Sequence, residues 1–194
     1  MRKLQLLLFV MILTVPALTA FAGDDEGGKK GIRAGYQLSN IYDKNNDSKA
    51  LGDNYNSFYI GLFAEKKLIP LLKLDYGIEY NSTGFRDESL AGVKTDFTRH
   101  NLAIPVNLKL KLGPVFAMGG VAPSFGLSTK SEIDGVEFDT EPELFDAPVF
   151  LGAGVKIMML SIEARYHWGT RNMTKIDGAN TNQRYFQIGA ALSF

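Results

Sequence analysis

The sequence predicts an all-β fold, an eight-stranded antiparallel up-and-down transmembrane β-barrel, from three observations. After residue 30 the chain alternates apolar and polar side chains with a period of two, the mark of strands whose faces meet different surroundings. Eight such segments can be read, joined by connections that switch between very short and long. Although 45% of residues are hydrophobic, no apolar block after the first residues is long enough for a membrane helix.

The amino terminus indicates export. Arg2 and Lys3 precede an apolar run from Leu4 to Val15, interrupted only by Gln5 and Thr14. That is the pattern of a secretory signal peptide, and it is shorter than the roughly 20 residues of a spanning helix. Pro16 ends the run, and Ala20 and Ala22 place small residues where a signal peptidase reads, so cleavage is expected between Ala22 and Gly23. Residues 1–22 are read as the signal peptide, 23–30 as a short N-terminal periplasmic segment and 31–194 as the barrel.

In the first strand, Ile32, Ala34, Tyr36 and Leu38 alternate with Arg33, Gly35, Gln37 and Ser39. Residues 57–67 form a second strand with weaker alternation. The third has Leu72, Leu74, Tyr76, Ile78 and Tyr80 interleaved with Lys73, Asp75, Gly77, Glu79 and Asn81, an order no helix produces. In the fourth, Leu102, Ile104, Val106, Leu108 and Leu110 alternate with Asn101, Ala103, Pro105, Asn107, Lys109 and Lys111. Residues 115–127 and 148–157 supply the fifth and sixth. The seventh sets Leu160, Ile162, Ala164, Tyr166 and Trp168 against Ser161, Glu163, Arg165, His167 and Gly169. The last sets Phe186, Ile188, Ala190, Leu192 and Phe194 against Tyr185, Gln187, Gly189, Ala191 and Ser193.

Lys67 to Pro70, Leu112 to Pro114 and Met158 to Met159 read as tight turns, whereas residues 41–56, 84–98, 128–147 and 170–182 read as long polar loops. Short turns on the periplasmic rim and long loops outside are the pattern of outer-membrane barrels. A soluble lipocalin-like barrel would instead keep its apolar face inside.

Composition narrows the function. There is no cysteine, which excludes disulfides, thiol chemistry and a lipid-acceptor cysteine. Removing Arg2 and Lys3 from the balanced 21 basic and 21 acidic residues leaves the mature chain slightly acidic, with no basic patch for nucleic acid.

Several short stretches also look familiar in their order and spacing: Ala34 to Ser39, Tyr76-Gly77-Ile78-Glu79-Tyr80, Ile104-Pro105, Leu112-Gly113-Pro114, Ala164-Arg165-Tyr166 and Phe186-Gln187-Ile188-Gly189, closing at Phe194. Over essentially the whole mature chain the sequence resembles the eight-stranded outer-membrane β-barrel domain family of Bacteroidota, the PorT-like barrels. The resemblance implies residence in outer-membrane lipid and a terminal aromatic, Phe194, read by the barrel-assembly machinery. One lineage takes part in protein secretion, which would bring envelope protein partners.

The inward positions Arg33, Lys73, Asp75, Glu79, Lys109, Glu163, Arg165 and His167 are the candidate site, read as a lumen network because charges inside a narrow barrel must pair. Ser161, Glu163 and His167 share a face, but no serine shows an activating motif, so no catalytic residue is assigned and the chain is read as a non-enzyme. No cofactor and no metal are expected. Glu132, Asp134, Glu137, Asp139, Glu141, Glu143 and Asp146 crowd the third long loop, where a solvated surface is the expectation ahead of cation binding. The function expected is structural, or binding through the long loops with a closed lumen; a secretion or envelope-assembly factor is the alternative, and a lipid-modifying enzyme a more distant one.

Overall fold

The computed structural model describes residues 28–43, 49–87, 95–133, 136–140, 145–170 and 181–194. The expected signal peptide, residues 1–22, its expected cleavage point between Ala22 and Gly23, and residues 24–27 lie outside them. The strands are β1 (Lys29–Asp43), β2 (Lys49–Ile69), β3 (Leu72–Asp87), β4 (Thr95–Ala103), β5 (Val106–Leu112), β6 (Val115–Val121), β7 (Ser124–Ile133), β8 (Val136–Thr140), β9 (Val149–Ile157), β10 (Leu160–Trp168) and β11 (Thr181–Ser193). All pairings are antiparallel, and β1 bonds to both β2 and β11, which closes the sheet into an eight-stave barrel.

Eleven strands make eight staves because three staves are each divided in two, two of them at a proline. β4 and β5 form one stave broken at Ile104-Pro105, β6 and β7 the next broken at Ala122-Pro123, and β8 and β9 lie in a third that passes through Pro148. Proline has no amide hydrogen to give the ladder, so its residue drops out of regular pairing. Its carbonyl still accepts: Gly77 donates to Pro105 at 3.0 Å, Ile104 to Pro123 at 2.7 Å and Ala122 to Pro148 at 2.8 Å. The staves stay bonded to their neighbours at these points.

β1 starts at Lys29 because Lys30 and Phe194 exchange both backbone hydrogen bonds, at 2.8 and 3.1 Å, clamping the start of β1 to the end of β11. The short turns close at Pro70-Leu71, Gly113-Pro114 and Met158-Met159. Gly113 and Met158 both have positive φ, 70° and 56°, as the first residue of a primed hairpin turn requires.

At the other end, parts of the expected loops are strand. β2 begins at Lys49, β3 runs to Asp87, β4 starts at Thr95, β7 continues to Ile133, and β8 pairs with it. The sequence there is polar at consecutive positions, and ladder bonds persist where the apolar alternation has ended.

The distribution of side chains is inverted relative to a soluble protein. Outward-facing Ile32, Ile60, Leu62, Leu108, Leu151, Ile162 and Ile188 are each about half exposed, whereas Arg33, Asp75, Glu79, Glu163 and Arg165 are buried. A continuous apolar exterior of this kind is sustained only by lipid. An aromatic band borders it toward the long connections: Tyr36 opposite Phe58, Tyr80 6.1 Å from Phe58 between ring centroids, Phe186 opposite Tyr166, and Trp168 4.7 Å from Tyr166. Amphipathic rings of this kind sit at a membrane interface.

Candidate functional site

Inward side chains form two linked ion clusters. Nearer the short turns, Arg33 Nη2 donates to both oxygens of Asp75, at 2.8 and 2.9 Å, and Lys109 Nζ donates to Asp75 Oδ2 at 2.9 Å and to Glu65 Oε1 at 2.7 Å. Lys73, half-buried at the mouth, reaches the other oxygen of Glu65 at 2.7 Å. Asn107 Nδ2 adds a bond to Asp75 Oδ1 at 3.1 Å.

In the second cluster, Arg165 Nη2 donates to Glu79 Oε2 at 2.9 Å. β10 and β3 are separated by three staves in either direction, so this pair spans the full diameter. Gln187 Nε2 donates to Glu79 Oε1 and to Gln37 Oε1, each at 2.8 Å, and Gln37 Nε2 donates to the Ser82 carbonyl at 2.7 Å. Glu163 joins the clusters electrostatically, 3.7 Å from Arg33 Nη1 and 3.7 Å from Arg165 Nε.

Aromatic rings fill the rest. Arg33 lies 4.4 Å from the centroid of Phe63, Arg165 4.8 Å from that of Tyr59 and Lys109 4.8 Å from that of Phe116, each within cation–π range. Room for Tyr59 comes from a glycine pair: Gly35 and Gly189 face each other across β1 and β11, and a Cβ on Gly35 would stand 2.7 Å from the Tyr59 ring. Phe116, Met118, Ala122 and Phe150 add an apolar strip.

His167 stands apart from the ion pairs, buried between the rings of Phe150 at 4.7 Å and Tyr185 at 4.2 Å. Its polar neighbour is the Gln187 amide, and among the described residues no hydroxyl lies within hydrogen-bond distance of either ring nitrogen as a nucleophile would. His100 is on the outer face, where Nδ1 meets the Tyr80 hydroxyl at 2.7 Å.

Glu65, Tyr59 and Phe63 were not legible as site residues, because both faces of β2 are apolar near them: Phe58, Ile60 and Leu62 face lipid while Tyr59 and Phe63 face the lumen. Counting by twos from Tyr59 does reach Glu65.

Asp146 departs from the expected solvated loop. It is buried, bridges to Ser124 through both backbone hydrogen bonds, and its Oδ1 accepts from the Ala147 amide at 2.8 Å and the Thr170 hydroxyl at 3.1 Å. Its carboxylate closes a local turn. Asp134, Glu141 and Glu143 lie outside the described residues. The Phe194 ring is 68% exposed on the outer surface.

Comparison with known proteins agrees with this architecture. The fold is similar to that of Ail, the attachment invasion locus protein of Yersinia pestis, at 18% identity and a TM-score of 0.52, covering 87% of this chain and 100% of Ail. It is also similar to Neisserial surface protein A, at 14% identity and a TM-score of 0.58, over 87% and 100% of the two chains. OprG from Pseudomonas aeruginosa matches at 12% identity and a TM-score of 0.51, over 87% and 97%. No curated protein matches by sequence. The family model for the outer membrane protein beta-barrel domain matches residues 6–194. With nearly the whole chain matched, and with lipid-facing apolar staves around a charged interior, this chain belongs to the outer membrane protein beta-barrel domain family and is a protein of the outer membrane.

Proposed function

We propose that this barrel is a closed scaffold whose lumen network braces the wall and whose extracellular strands and loops bind a partner. The Arg165–Glu79 pair, with Gln187 and Gln37 bonded to it, supports the closed lumen, because it crosses the whole diameter of a barrel whose interior is just wide enough for side chains. The lumen residues Arg33, Lys73, Asp75, Glu79, Lys109, Glu163 and Arg165 act as cross-braces, with His167 as a packing residue. Processing after Ala22 and reading of Phe194 by the barrel-assembly machinery complete the proposal. The chain acts without catalysis.

Charge suggests the partner's sign. The strand ends beyond the aromatic band hold Asp43, Asp53, Asp87, Asp96, Glu132, Glu137 and Asp139 against Lys49, Arg86, Arg99, Lys130 and Arg184. Ail was solved with the heparin analogue sucrose octasulfate; an acidic rim opposes such a polyanion and favours a cationic partner. On intact cells displaying the protein, a fluorescent polylysine probe should bind saturably and sucrose octasulfate should not. Saturable binding of sucrose octasulfate would refute this partner class. A stoichiometric envelope protein captured by crosslinking in native membranes would favour instead the secretion or assembly role that the PorT-like resemblance implies.

A further inference from the structure

Lysines gather at the short-turn end of the barrel. Lys29 opens β1, Lys67 lies near the end of β2, Lys73 opens β3, Lys111 lies near the end of β5 and Lys156 near the end of β9. Lys67 stands directly opposite Lys73, and Lys73 directly opposite Lys109, so three like charges sit side by side across adjacent strands. Such neighbours repel unless an anion lies between them; Glu65, 2.7 Å from both Lys73 and Lys109, serves that inner pair and leaves Lys67 at the mouth. The side-chain carboxylates among them, Glu65 and Asp75, are buried and already bonded to Lys73, Lys109 and Arg33. Lys156 is within electrostatic reach of Glu65 as well as of Lys73, Lys29 and Lys109, and it donates to Ser193 Oγ at 2.7 Å. Lys29, Lys67 and Lys111 are exposed.

The turn tips between these lysines are apolar. Ile69 is 57% exposed, Leu71 54% and Met158 87%, and they continue the lipid-facing belt to the end of the barrel. Apolar tips hold the rim in the interface, so the ammonium groups lie at headgroup depth, the position lysines reach by snorkelling. A soluble anionic partner would require the rim to stand clear of the bilayer, and tips of this composition draw it in.

We propose that the short-turn rim binds the phosphate groups of anionic phospholipids of the periplasmic leaflet, with Lys67 and Lys111 as principal contacts. This inference rests on the membrane placement of the barrel and is independent of the role proposed for the loops. It adds an orienting device, a basic rim toward phospholipid and an acidic one toward the exterior.

The full chain, reconstituted in nanodiscs of equal phosphatidylcholine and phosphatidylglycerol with matched acyl chains, is released and its retained lipids are counted by native mass spectrometry. Wild-type protein should retain phosphatidylglycerol several-fold over phosphatidylcholine. Each lysine near an anionic surface is worth about fivefold, so Lys67→Gln with Lys111→Gln should remove most of that preference. Lys130→Gln at the opposite end should leave it unchanged. High salt should weaken the wild-type preference, a readout that needs no variant to fold. Equal retention of the two lipids, insensitivity to salt, or an equal loss in Lys130→Gln would overturn the proposal. Abolition of the preference by excess inorganic phosphate would assign the site to a soluble anion. Asp24, Asp25 and Glu26 precede β1; a preference that appears only after all three are made neutral amides would show that the chain's own acidic stretch occupies the rim, and would also overturn it.

Discussion

Replacing Asp75 by asparagine tests the bracing role of the lumen. Asp75 is fully buried and accepts hydrogen bonds from Arg33 at 2.8 and 2.9 Å, Lys109 at 2.9 Å and Asn107 at 3.1 Å. An asparagine of the same shape removes the negative charge and turns an amide donor toward two cations. Breaking a buried ion pair costs about 3–5 kcal/mol, because the surviving charge is left in a medium that solvates it poorly. Here each cation keeps another carboxylate: Arg33 has Glu163 at 3.7 Å and Lys109 has Glu65 at 2.7 Å. The cost should therefore fall near the lower limit, about 3 kcal/mol, or more than a hundredfold in the folding equilibrium. Glu163→Gln should cost less, since Glu163 contacts Arg33 and Arg165 only at 3.7 Å, without a hydrogen bond to either. The assay is urea unfolding in detergent micelles, followed by the fluorescence of Trp168, the single tryptophan, and by heat-dependent gel mobility. Adding Arg33→Gln to Asp75→Asn should recover part of the loss. An unchanged urea midpoint for Asp75→Asn, or a stable porin-sized conductance from wild type or variant in planar bilayers, would refute the bracing role.

Three further outcomes follow from local geometry. Gly189→Ala should destabilise by about 2 kcal/mol in the same assay, because the new methyl meets the Ala34 carbonyl oxygen across the ladder and the Tyr59 hydroxyl beneath Arg165. Phe194→Ala should leave the urea midpoint nearly unchanged, since the two backbone bonds to Lys30 remain, yet lower the amount of protein in isolated outer membranes on quantitative immunoblots; deleting Phe194 should lower both. At the turns, Met158→Gly should stabilise and Gly113→Ala destabilise, each by about 1 kcal/mol, because both positions require positive φ and a side chain there crowds its own backbone. Their urea midpoints should move in opposite directions.

Side-chain parity and turn chemistry were legible without coordinates, for a physical reason. Lipid outside and a charged interior impose opposite demands on adjacent residues, so Leu72 to Asn81 and Leu160 to Gly169 record the two faces in linear order. Gly113-Pro114 and Met158-Met159 left too little chain for anything but hairpins. Where that contrast fades, legibility fades with it. Beyond the aromatic band polar residues follow one another without alternation, as in Ser39-Asn40 and Asn81-Ser82-Thr83, and the upper parts of β2, β3, β4, β7 and β8 read as loops; along the lower part of β2 both faces are apolar, and Glu65 was passed over. Proline breaks inside the staves were hidden for a different reason, since Pro105 keeps the parity of its neighbours and only the neighbouring stave decides whether its missing amide matters.

What the sequence by itself determined is therefore the class of the fold, the number of staves and the face to which Arg33, Asp75, Glu79, Lys109, Glu163 and Arg165 belong. Only the tertiary structure decided which of them meet. Asp75 took Arg33 and Lys109, Arg165 crossed the diameter to Glu79, and His167 went between two rings, because partners across a lumen depend on barrel closure and the stagger between staves. Closure joins residues 86 positions apart, as in Arg165 and Glu79, and no local pattern carries that distance.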